Sequence, residues 1–169
     1  EGLWVGLDRL GTGLRASTTR RLGVHHLTAG IDLQSSRDDR TNRRHRQGTP
    51  FGPLLLDQRE TVGEVGLFAQ ATIVRGAWQV RSGMRWDNTS FDVTDALGSG
   101  SGQRSMAAVS GSASITRAMG PATSWASVST AFETPTTTEL ANQPDGRTGL
   151  NRVLDPQRSV SPQSDSRRR

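Results

Sequence analysis

The chain of 169 residues contains no lysine and no cysteine. Without cysteine there is no disulfide framework, no thiolate metal site and no cysteine nucleophile. Without lysine, the net charge of +5 rests on arginine. A basic excess raises the question of nucleic acid. The arginines, however, are scattered over several segments, and no interleaved aromatic platform accompanies them, so no nucleic-acid partner is expected. No run of ~18 apolar residues occurs, which rules out a helical membrane span and leaves spanning strands open. Only 32% of residues are hydrophobic and mean hydropathy is -0.57. A compact soluble core calls for longer apolar runs, whereas a membrane barrel needs an apolar residue only at every second strand position. The chain opens at Glu1 without an initiating methionine or a signal peptide, and is expected to be an internal piece of something longer.

What is present is alternation. From Glu60 to Val93 the sequence reads as one long hairpin. In the first arm Val65, Leu67, Ala69, Ala71 and Ile73 alternate with Glu64, Gly66, Phe68, Gln70 and Thr72. After a turn at Arg75-Gly76-Ala77, Trp78, Val80, Met84 and Trp86 alternate with Gln79, Arg81, Gly83, Arg85 and Asp87. Each arm therefore has an apolar and a strongly polar face. That pattern suits a wall between lipid and a wet interior, and equally a soluble two-faced sheet with its arginines in water. Asn88 to Val93 continues the arm with Phe91 and Val93 out of step with Trp86, which predicts a bulge near Asn88.

Four more strands are predicted: Gly11 to Thr19, His25 to Ser36, Ser105 to Arg117, and Ser124 to Glu133. Glu1 to Arg9 carries no pattern beyond Trp4. The adjacent His25 and His26 point to opposite faces and lack a third ligand at a recognisable spacing, so no metal site is expected. Arg37 to Arg59 reads as a long loop, dense in charge (Arg40, Arg43, Arg44, His45) and in Gly and Pro. It is either a solvated loop or a ligand-gathering one whose arginines favour anionic groups. Asp95 to Gln103 reads as a flexible Gly-Ser loop, and Met119 to Thr123 as a tight turn. Long connections follow the strands ending near Ser36, Val93 and Glu133; short ones follow those ending near Thr19, Val74 and Ala118. Strict alternation puts the long loops at one end and the short turns at the other, as in an outer-membrane barrel. The fold class expected is all-β: an antiparallel up-and-down meander of about six strands, part of an incomplete transmembrane β-barrel.

Five segments, in order, carry a resemblance. His26-Leu27-Thr28-Ala29-Gly30-Ile31-Asp32 is similar to an "HxLxxGxD" strand. Gly66-Leu67-Phe68-Ala69-Gln70 is similar to "GxFxQ", and Gly83-Met84-Arg85-Trp86-Asp87 to "GxRYD". Phe132 to Leu140 resembles "FxTPTxxEL", and Leu154 to Ser159 resembles "LxPExS". Together these resemble the barrel of TonB-dependent outer-membrane receptors. The resemblance implies location in the cell outer membrane and uptake of a scarce small ligand, such as a metal chelate or an iron–siderophore complex. It also implies an inner-membrane energising complex that acts through an N-terminal plug not found in this sequence. Six strands cannot close a barrel of 22, so residues 1–159 are expected to be part of a barrel. After Ser159 the sequence departs from the family: Pro162 and the terminal arginines oppose a strand. Residues 160–169 are expected to be a disordered basic tail, truncated or frame-shifted.

No cofactor and no catalysis are expected. Glu133 and Glu139 lie across Pro135 with nothing to fix their separation, and no GxSxG elbow is present. The ligand-contact candidates are Arg40, Arg43, Arg44 and His45, the loop Asp95 to Gln103, and the segment after Glu133 with Glu133 and Glu139. Arg81, Arg85 and Asp87 would face the lumen, lining the path, pairing with the plug, or standing as solvated wall residues. The alternative function is a soluble β-rich binding or adhesion module using the same loops.

Overall fold

The computed structural model describes residues 2–98, 100–141, 150–151 and 153–168. Seven strands run as β1 (Gly2–Leu22), β2 (His25–Arg46), β3 (Thr49–Arg75), β4 (Trp78–Asp95), β5 (Gly102–Met119), β6 (Ala122–Glu133) and β7 (Gln157–Arg168). One short helix, α1 (Thr137–Ala141), lies between β6 and β7. The strands form a single antiparallel sheet in chain order, open at β1 and β7. This is the expected meander with one strand more.

The register carries the two-faced pattern across the whole sheet. On one face lie Leu14, Leu27, Leu33, Leu67, Ile73, Val80, Met84, Trp86, Val109, Ile115 and Val128, all exposed, Met84 to 62%. A soluble monomer rarely shows so continuous an apolar surface. On β3 this band runs from Val65 to Ile73 and on β4 from Trp78 to Trp86, about the length a tilted strand needs to cross a bilayer. Above it the outward residues turn polar: Ser35, Arg37 and Asp39 on β2, Thr61 and Arg59 on β3, Ser90 and Asp92 on β4.

Three expectations are corrected. Residues 37–59 are not a loop. β2 and β3, 22 and 27 residues long, project beyond the band as a continuous hairpin closed at Gln47-Gly48. Both tip residues have positive φ (49° and 82°), the conformation of a two-residue turn that matches strand twist. Ion pairs bridge the strands at the base of the projection, Arg59 with Asp39 directly opposite and Arg40 with Glu60 on the diagonal, so charged residues that argued for a loop join the strands instead. The local Gly and Pro are absorbed where pairing skips from Asn42–Leu56 to Arg44–Phe51, which leaves Gly52-Pro53-Leu54-Leu55 opposite Arg43.

No bulge occurs at Asn88, because the β3–β4 register is continuous from Gln58–Asp95 to Arg75–Trp78. Phe91 and Val93 therefore stay on the face of Arg85 and Asp87. They are buried there with Met106 under Leu140 and Leu150, and Val62 and Leu154 pack against the same cluster. The change from polar to apolar marks a change in what covers the face, not a change of face.

The third correction concerns the C-terminus. Residues 157–168 pair with β6 from Glu133–Gln157 to Ala122–Arg168. Pro162 is tolerated because an edge strand has a side without a ladder, and Arg167 donates to Asp165 at 2.7 Å. Residue 169, the end of the expected tail, lies outside the described residues, as do Glu1, Ser99, residues 142–149 and Arg152.

Two outcomes follow. Leu140→Ala removes the one fully buried large side chain among the described residues and is expected to cost ~2–5 kcal/mol. The readout is faster proteolysis at the α1 segment with the sheet's far-UV signal retained. The isolated chain in detergent-free buffer is expected to aggregate through its open edges and apolar face; a monodisperse, protease-resistant monomer by light scattering would contradict the lipid-facing assignment.

Candidate functional site

The face opposite the apolar band is charged, and its charges are joined across strands. Pairing places Arg15 (β1) beside Asp32 (β2), Asp32 beside Gly66 (β3), and Gly66 beside Asp87 (β4). Arg85, two residues from Asp87, donates through Nε to Asp87 Oδ1 at 2.7 Å and through Nη1 to Asp32 Oδ2 at 2.5 Å. To reach Asp32 from β4 the guanidinium must cross β3. A Cβ built on Gly66 would lie 2.0 Å from Arg85 Nη2, so glycine leaves the gap through which Arg85 passes. Arg15 completes the network, its Nη2 donating to Asp32 Oδ2 at 2.8 Å and its Nε to Oδ1, with the guanidinium over the Phe68 ring at 5.7 Å. Gly30 makes room for that ring, since a Cβ there would meet Phe68 at 2.5 Å.

A second group sits higher on the same face, beyond the apolar band. Arg9 binds Asp38 through two hydrogen bonds, at 2.6 and 2.5 Å. Arg40 donates to the buried Glu60 at 2.7 Å, and Thr137 of α1 donates to the other Glu60 oxygen. The hydrogen bond from Arg9 holds the Asp38 carboxyl below the usual carboxylate range. On the outward face Arg59 and Arg37 both donate to Asp39, at 2.7 and 2.9 Å, and Asp39 is lowered likewise, chiefly by Arg59.

The α1 segment is positioned by a capping box. The Thr136 amide donates to Glu139 Oε2 at 2.8 Å, and the Glu139 amide donates to Thr136 Oγ1 at 3.2 Å. Arg104 on β5 donates to the Asn151 carbonyl and contacts Asp155 at 3.4 Å, fixing the chain as it returns toward β7.

Of the candidate residues, Arg85 and Asp87 stand in the first network and Arg40 in the second. Arg81 shares their face, exposed and nearer the short turns. Arg43 and Arg44 are exposed on opposite faces of the projecting hairpin. His45 accepts the Gly48 amide at its tip, at 3.3 Å. Glu139 is the capping residue, and Glu133 is exposed at the end of β6. His25 accepts the Val74 amide at 3.1 Å, and no group of three His, Cys, Asp or Glu among the described residues is arranged to hold a metal. Sequence reasoning passed over Arg15, Asp32 and Glu60. Asp32 was visible as a charge at an inward position of a clean strand, and the capping box as Thr136-x-x-Glu139. The partners were not visible, because register decides them.

A family model described as "TonB dependent receptor-like, beta-barrel" matches residues 3–161. No curated protein matches. Among solved structures, the sheet is similar to the "Copper transporter OprC" with a TM-score of 0.75 at 19% identity, covering 94% of this chain and 27% of that one. The unliganded ferric citrate transporter FecA gives 0.68 at 16% identity, with 97% and 25% covered. The siderophore receptor PiuA from Acinetobacter baumannii gives 0.63 at 12% identity, with 97% and 29% covered. The chain thus spans between a quarter and a third of the length of these structures.

Two measurements probe the site. Gly66→Ala and Asp32→Asn each break the reach of Arg85 across β3, so each is expected to lower the unfolding midpoint in detergent. Their double mutant should fall short of the sum, since both remove one interaction. Lowered in the folded state, the Asp38 carboxyl contributes stability above its ordinary pKa of about 3.9 and loses it as pH falls through the folded value. Acid titration of the midpoint should show that loss, and Asp38→Asn should flatten it.

Proposed function

Since this chain belongs to the β-barrel family of TonB-dependent receptors, transport receptors of the outer membrane rather than enzymes, we propose that it forms part of the wall of an uptake receptor for an anionic small ligand such as a metal chelate. One observation carries the reading: a single sheet divides into an outward apolar band and an inward face of joined charges. Lipid fits the first, and a watered passage fits the second.

Within that reading the sheet from β1 to β7, which runs past residue 159 to Arg168, is barrel wall. Arg85 and Asp87 shape the passage, Arg81 adds an exposed cation to it, and the projecting hairpin offers Arg43, Arg44 and His45 to an arriving anion. Arg43 and Arg44 make no ion pair among the described residues, so both are available to a ligand. Arg40 is held by Glu60 and acts on the position of α1. Energy would come from an inner-membrane complex acting through a plug in the lumen, against which the inward charges would rest. Similar structures described as a copper transporter, a ferric citrate transporter and a siderophore receptor support the class of cargo.

The test is accumulation of radiolabelled ferric citrate, ferric catecholate, ferric hydroxamate and copper by cells expressing the whole receptor of which this wall is part. Accumulation of ferric citrate or ferric catecholate, the anionic members, is expected, with Arg43→Gln/Arg44→Gln raising the half-saturating concentration several-fold at unchanged surface abundance. Failure to take up any anionic chelate, with the protein present in the outer membrane, would sink the reading.

A further inference from the structure

Charge is sorted along the strands. The stretches flanking three short turns, residues 16–30, 68–84 and 111–128, contain Arg20, Arg21, Arg75, Arg81 and Arg117 and no aspartate or glutamate. The carboxylates of β1 to β6 lie from mid-height to the opposite end. Register divides these arginines between the faces: Arg21 and Arg81 are inward, whereas Arg20, Arg75 and Arg117 share the face of the apolar band.

The three outward arginines recur at one place in the fold. Each stands on the strand leading into a short turn, within three residues of Gly23, Gly76 or Gly120. All three are exposed, and among the described residues none is paired with a carboxylate. Arg117 lies over the Trp78 ring at 4.9 Å. Beside them stand the exposed Ile73, Trp78 and Ile115 of the apolar band, and Leu22 and Met119 follow Arg20 and Arg117 on the same face at the turns. At the other margin of the band Arg37 and Arg59 are already held by Asp39. At the short-turn margin Arg20, Arg75 and Arg117 leave three guanidinium groups without a carboxylate among the described residues, at the depth where hydrocarbon gives way to headgroups. The guanidinium matches phosphate in shape and charge.

We propose that Arg20, Arg75 and Arg117 form a binding rim for the phosphates of anionic phospholipids in the leaflet at the short-turn end of the wall. The rim faces lipid, not the lumen, so it stands independently of which ligand the receptor carries. Each arginine near a charged bilayer surface is expected to contribute about fivefold in affinity, shrinking as salt rises.

The test uses the protein purified from outer membranes in neutral detergent, with retained lipid counted by native mass spectrometry. It is titrated with phosphatidylglycerol and with phosphatidylcholine of the same acyl chains, and then with inorganic phosphate as competitor. Preference for phosphatidylglycerol is expected, lost in Arg20→Gln/Arg75→Gln/Arg117→Gln and kept in the triple Lys variant. It should also survive Arg21→Gln, which alters the same end on the inward face. Equal binding of the two lipids, a preference that survives the triple Gln change, or full displacement by inorganic phosphate would each overturn the proposal. If the triple variant does not fold, the single variants decide: each should lose about fivefold, and no loss in any of them overturns the rim.

Discussion

The reach of Arg85 across β3 is the interaction on which the middle of this wall depends. A guanidinium anchored on β4 bonds its neighbour Asp87 and also Asp32 two strands away, and it can do so only because Gly66 has no side chain. Arg15 meets the same carboxylate from β1, so four strands share one cluster. In a sheet whose outward face is left to lipid, no second layer packs against the wall to fix its register. The inward polar cluster supplies that restraint, because a one-residue slip would turn every member to the wrong face.

The same cluster gives a physical meaning to three sequence motifs. In the strand of Gly30 and Asp32, the strand of Gly66, Phe68 and Gln70, and the strand of Gly83, Arg85 and Asp87, the marked residues all face inward, and they meet in register: Gly30 with Phe68, Asp32 with Gly66, Gln70 with Gly83. Large residues stand opposite glycines and acids lie within reach of the arginine. Each motif looks weak when read alone because it specifies only one side of a contact.

The upper wall follows a different rule. There the inward face carries Val62, Phe91, Val93 and Met106, and the chain following β6 folds back to cover them with Leu140 and Leu150. A capping box at Thr136 and Glu139, the Thr137–Glu60 bond and the Arg104–Asn151 bond hold that cover in place. The inward face is thus charged at mid-height and locally apolar above, within the same strands.

Alternation by itself determined the all-β class, the two-faced strands, the order of the hairpins and the inward placement of Arg81, Arg85 and Asp87, because side-chain period is a local property of an extended backbone. Strand ends were not local. Residues 37–59 look like a loop when their charges are read one by one and become strand when Arg40 finds Glu60 and Arg59 finds Asp39 across the ladder. Phe91 and Val93 read as a change of face in isolation and keep their face under the cover of Leu140 and Leu150, and the final strand needs β6 as a template to outweigh its proline. Only tertiary structure decided these points, since each depends on a partner many residues away whose position is set by register and by the return of the chain across the sheet.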